Sequence, residues 1–80
     1  MDNTLLVSKS LDFSHLMRIA EGMSYRHDRV VIKARGKQIQ RAVEVAVMLE
    51  SRGRGNIVNT TYAVVEGGVH IPSIEINITV

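Results

Sequence analysis

Arg29-Val-Val-Ile-Lys33-Ala-Arg35-Gly36-Lys37-Gln-Ile-Gln-Arg41 passes within thirteen residues from the pattern of a buried strand to that of an amphipathic helix, and carries five cations and no acid. Three consecutive β-branched residues, Val30, Val31 and Ile32, favour a strand, and Gly36 permits a sharp exit from it. Lys33, Arg35 and Lys37 are then left where the strand ends and a helix begins. A helix N-terminus presents backbone N–H groups without intrahelical partners and a partial positive charge, so basic side chains added there make an anion site. The anion this pattern points to is a nucleic-acid backbone. A solvated basic helix face is the alternative for Lys33, Arg35, Lys37 and Arg41. The missing acids and the glycine at the junction favour the phosphate reading.

On the N-terminal side, Thr4-Leu-Leu-Val-Ser8 has the character of a short first strand. Ser10 or Asp12 can cap a following helix whose apolar positions are Phe13, Leu16, Met17, Ala20 and Met23. That helix should fade between Ser24 and His27, and Arg29–Ala34 forms the second strand. From Lys37 to about Glu50 a second helix is expected, with Ile39, Ala42, Val43, Ala46 and Val47 as its apolar stripe and Leu49 or Glu50 closing the turn. Ser51-Arg-Gly-Arg-Gly55 then reads as a helix stop and turn.

The segments 56–66 and 69–80 are rich in Val, Ile and Thr, and Gly67-Gly68 between them suits a tight hairpin. Pro72 cannot donate to a ladder and so marks an edge or a bulge in the last strand. The expected fold is α+β: a β-α-β-α-β-β two-layer sandwich, with a four-stranded mixed sheet and both helices on one face. Residues 1–80 are expected to form a single domain, without repeats or low-complexity tracts.

Eighty residues are close to the size at which one core is only marginally sufficient, so self-association is expected. Phe13, Tyr25 and Tyr62 are the only aromatics, which makes the core aliphatic and base-stacking platforms scarce. The absence of cysteine excludes disulfides and thiolate chemistry. No apolar run approaches the roughly 18 residues of a membrane span, and no signal pattern opens the chain, so a cytoplasmic protein is expected. The net charge of +2 hides an asymmetry, since all ten Lys and Arg lie between Lys9 and Arg54 while residues 55–80 carry only Glu66 and Glu75. One part of the surface is therefore suited to anions and another is not.

In a parallel arrangement of strands one and two, Lys9 lies on the same sheet edge as Lys33 to Lys37 and joins that surface. Arg52 and Arg54 either extend it or only complement the end of the second helix. His15, His27 and His70 lack metal-ligand spacing, and their sequence separation argues against a metal site. Asp12 and Glu75 have ordinary surface explanations. No catalytic grouping of serine, histidine and acid can be picked out, so neither an enzyme nor a cofactor is expected.

With this order of elements, Val31-Ile-Lys-Ala-Arg-Gly36, Lys37 and Gln40-Arg41-Ala42-Val43 resemble the Alba family of small archaeal chromatin proteins. Ser8-Lys9-Ser10 stands where that family has a glycine-lysine-lysine turn, and Ser73-Ile-Glu-Ile-Asn-Ile-Thr79 is similar to its closing strand. The resemblance implies a fold like the C-terminal domain of translation initiation factor 3, a homodimer, and binding of double-stranded DNA and often RNA. It implies phosphate contacts by Lys9, Lys33, Arg35 and Lys37, with Arg41 and Arg52 as weaker contributors, and acetylation of Lys9 as a regulatory device. It leaves two further readings open: an RNA-binding or ribonucleoprotein subunit, and a module that pairs with another Alba-like chain as a heterodimer. The chain departs from the family pattern at Ser10, where a second lysine is usual, at Gly53, where many members carry an aromatic, and in the turn Glu66–His70, which has no Lys or Arg.

Overall fold

A computed structural model describes residues 3–65 and 71–80. The order is β1 (Thr4–Leu6), α1 (Phe13–Arg26), β2 (Arg29–Arg35), a single 3-10 turn (Gly36–Gln38), α2 (Ile39–Ser51), β3 (Asn56–Val65) and β4 (Ile71–Thr79). This is the expected α+β arrangement. The Gly67-Gly68 hairpin turn lies outside the described residues.

Asp12 starts α1 by accepting the His15 backbone N–H at 2.8 Å, which satisfies one of the donors that a helix leaves unpaired. The helix buries Leu16, Met17, Ala20 and Ser24. Ser24 is the only buried polar residue among those described, and its hydroxyl donates to the Glu21 carbonyl at 2.6 Å. In β2 the period of two is plain: Val30, Ile32 and Ala34 are buried, while Arg29, Lys33 and Arg35 are exposed. Gly36 leaves the strand at φ +56, a left-handed conformation that costs glycine nothing.

The second helix differs from expectation in its start and in its buried face. Gly36–Gln38 forms a 3-10 turn, and the α-helix proper begins at Ile39. Its buried residues are Ala42, Val45, Ala46 and Leu49, whereas Val43 and Val47 are 36% and 51% exposed. Both sets obey the helical period, because α2 carries more apolar residues than one face can hold. The two alanines let the helix approach the sheet closely, and Val45 and Leu49 then fill the space beside them.

The strand order is β1-β2-β4-β3, with β1 parallel to β2 and β4 antiparallel to both neighbours. β4 is therefore an interior strand, contrary to the edge position that Pro72 suggested. Pro72 is accommodated because the β2 ladder stops at Arg35–Ser73, so at Pro72 only β3 is a neighbour, through Val64. The irregularity lies in β3 instead, at a register shift between Ile57 and Asn59. Gly55 leads into β3 at φ +155, and a Cβ there would lie 2.6 Å from Ile78 Cγ2.

Leu16, Val30, Ile32, Val45, Leu49 and Ile78 are the largest fully buried side chains, an aliphatic core between the helices and one face of the sheet. The opposite face of the sheet is open. Beside α2, the edge strand β3 exposes Val58, Tyr62 and Val64.

Candidate nucleic-acid interface

Because β1 and β2 run parallel, both end on one edge of the sheet, and the chain turns there into α1 and then into α2. The Val7 N–H donates to the Lys33 carbonyl at 2.9 Å, which fixes the end of β1 against β2. Lys9 follows in an exposed turn closed by Ser8 and Ser10, whose hydroxyls share a hydrogen bond of 2.6 Å. The Ser10 N–H also donates to Ser8 Oγ at 3.1 Å. Ser10, one of the departures from the resemblance, thus serves to close the turn.

Arg41 reaches this turn from α2. Its guanidinium donates to the Ser8 carbonyl at 3.0 Å, to the Leu11 carbonyl, and to Gln38 Oε1 at 2.9 Å. These bonds tie Arg41, which the family resemblance implies as a weaker phosphate contact, to the turn that carries Lys9.

Lys33 and Arg35 project from the open face of the sheet, separated by one buried residue and hence by about 7 Å along the strand. Lys37 is exposed in the 3-10 turn just beyond. Lys9, Lys33, Arg35 and Lys37 therefore share one edge. The two helix ends behind that edge differ in charge. At α1, Asp12 neutralises the positive end, and its carboxyl is held below the ordinary aspartate range, chiefly by the His15 backbone N–H and then by the Ser14 hydroxyl. At α2, neither a side-chain cap from Gln38 nor an acid in the first turn offsets the partial charge.

The register aligns Leu6, Lys33, Glu75 and Thr61 in one row across all four strands, with Arg35, Ser73 and Ala63 in the next row toward the basic edge. Lys33 Nζ lies 3.4 Å from Glu75 Oε1, an ion pair whose side chains remain 48% and 43% exposed. Glu75 Oε2 also accepts from Asn77 Nδ2 at 3.4 Å. These two rows line a cleft of about 720 Å³ on the open face. By sequence alone Glu75 has an ordinary surface explanation, since its position beside Lys33 depends on the pairing of β2 with β4.

Arg52 stands apart. It caps the far end of α2, about 20 Å from that helix's start, and pairs with Glu21. The neighbouring Arg54 lies over the Tyr25 ring, 3.7 Å from its centroid. Among the described residues no group of histidines and acids could hold a metal ion, and no helix is long and apolar enough to cross a membrane.

Exposed Lys9, Arg35 and Lys37, with Lys33 paired to Glu75, give this two-layer α+β fold the clustered basic surface that marks small nucleic-acid-binding proteins. The sequence model of the Alba family matches residues 3–64. Among solved structures, ALBA1 from Trypanosoma brucei superposes with a TM-score of 0.86 at 23% sequence identity, over 96% of this chain and 68% of that one. Alba from Thermoplasma volcanium superposes with a TM-score of 0.79 at 21% identity, over 96% of this chain and 99% of that one. The chain belongs to the Alba family, whose members are non-enzymatic nucleic-acid-binding proteins.

Proposed function

We propose that the chain is a homodimeric, sequence-independent nucleic-acid-binding protein that takes double-stranded DNA by its phosphates, in chromosome packaging of the archaeal chromatin kind and in the cytoplasm. The observation that carries this is the gathering of Lys9, Lys33, Arg35 and Lys37 on one edge, in front of an α2 terminus without a neutralising acid. Phosphate contacts position a protein without reading sequence. Homodimer formation is supported by the apolar surface of Val43, Val47, Val58, Tyr62 and Val64 around the unpaired edge of β3, which a monomer would leave in water. The same surface suits a second Alba-like chain in a heterodimer.

A second reading, RNA as the main ligand, is favoured by Glu75 beside Lys33. A carboxylate inside a basic footprint repels phosphates, and it suits a polymer that brings bases to the sheet. Titration with duplex DNA, duplex RNA and single-stranded RNA at two salt concentrations separates the readings. Replacing Lys33, Arg35 and Lys37 together by alanine should abolish most binding to all sequences alike. Unchanged affinity and salt dependence in that variant would reject the basic edge as the binding surface.

A further inference from the structure

We infer that the cleft on the open face of the sheet is a pocket for one unpaired guanine, read by the Glu75–Lys33 pair. The inference goes beyond the proposed function and rests on its reading of the basic edge as the surface that holds the backbone. The cleft's volume of about 720 Å³ falls within the range of small-ligand sites, about 300–1,000 Å³. Its centre is charged, and the charges are arranged in an order that a phosphate would not select. Arg35 and Lys37 lie toward the edge of the sheet, but the next row inward presents the carboxylate of Glu75 beside Lys33. A carboxylate only accepts hydrogen bonds. A phosphate placed over it would meet a like charge, whereas a base edge bearing adjacent N–H donors would be held.

Guanine offers such an edge. Its N1–H and N2–H donors suit the two carboxylate oxygens, and its O6 acceptor stands beside them, on the side where Lys33 Nζ donates. Uracil has one N–H between two carbonyl oxygens and would set an acceptor against the carboxylate. Inside a duplex these guanine atoms are already paired, so the pocket takes an unpaired base. Glu75 is free to exchange partners, because its contacts to Lys33 and Asn77 are both long, at 3.4 Å, and its side chain is 43% exposed. Leu6, 66% exposed on β1, and Ala63 on β3 add apolar surface to the lining of the cleft on either side of the pair.

The test is fluorescence anisotropy with a ten-nucleotide oligouridine and with the same RNA carrying one central guanosine or one central adenosine. The guanosine RNA should bind about tenfold tighter than the other two, the lower part of the discrimination that a bidentate base contact gives. Glu75→Gln should erase that preference and at the same time tighten binding of oligouridine, because Lys33 is released toward phosphate. This crossed pattern would not follow from a merely structural role. Equal affinity for the three RNAs, or a preference that survives Glu75→Gln in a protein with unchanged melting temperature, overturns the inference alone. Failure to bind these RNAs and duplex DNA alike overturns the basic-edge reading, and the inference with it.

Discussion

The Arg41 guanidinium lies 3.0 Å from the Ser8 carbonyl and also donates to the Leu11 carbonyl, so one side chain of α2 brackets the turn that carries Lys9. Arg41 therefore braces a turn that the Ser8–Ser10 hydrogen bonds also close. Arg41→Met, which keeps the length of the side chain but not its donors, should cost about 1–3 kcal/mol of stability, as expected for charged hydrogen bonds to backbone. The slope of log K against log salt should not change. Urea denaturation and a salt titration check the two halves, and a lower slope with unchanged stability would place Arg41 on phosphate instead.

The salt slope also counts the engaged cations. Each phosphate neutralised on B-form DNA contributes roughly 0.9 to it. If Lys33 stays with Glu75, then Lys9, Arg35 and Lys37 from two protomers set a ceiling of about 5. Lys9→Gln, which imitates acetylation, should lower the slope of a dimer by about 2. Filter binding across a range of salt concentrations measures it, and a slope insensitive to Lys9→Gln would remove that turn from the footprint.

The depressed Asp12 carboxyl makes a contribution to stability with a definite sign. A carboxylate whose affinity for protons is lower in the folded state stabilises the fold at pH values above its unfolded value, and this is lost as pH falls through the folded value. Below about pH 4 the native chain should therefore lose melting temperature faster than Asp12→Asn, which keeps an oxygen acceptor for His15 but does not titrate. Parallel melting curves for the two would contradict the Asp12 cap.

Val43 and Val47 are exposed on α2, so charging them should leave the fold intact. Val43→Glu with Val47→Glu should convert a dimer to a monomer of 8.9 kDa by light scattering, with circular dichroism unchanged. A native chain that already scatters as a monomer would reject the dimer.

The elements of this fold were legible because their signals are local. Asp12 precedes a helix stripe, β2 alternates, and Gly36 and Gly55 stand where the backbone needs glycine. What remained hidden depends on pairing. Val43 and Val47 fit the helical period as well as Val45 and Leu49 do, and only packing against the sheet chooses between them. Glu75 reads as an ordinary surface acid until β4 is laid beside β2, and Arg41 looks like any member of a basic cluster until the loop after β1 closes against it. The basic edge itself was visible from Lys33, Arg35 and Lys37, since cations without acids at a strand-to-helix junction need no tertiary information.

The position of β4 between β2 and β3 has a kinetic meaning. The strand latest in the chain joins the other two, with Arg29 opposite Thr79 at one end of the ladder. The β3–β4 hairpin can form from local contacts, but its docking on β2 must close a long loop, a step that slows folding in mixed topologies. β1 is different again, with three residues and one strand neighbour. It is the strand with least to lose on opening, so amide hydrogens of β1 and of the turn behind it should exchange with solvent well before those of β2 and β4. The Lys9 turn can then come away from the sheet while the remainder of the molecule stays folded.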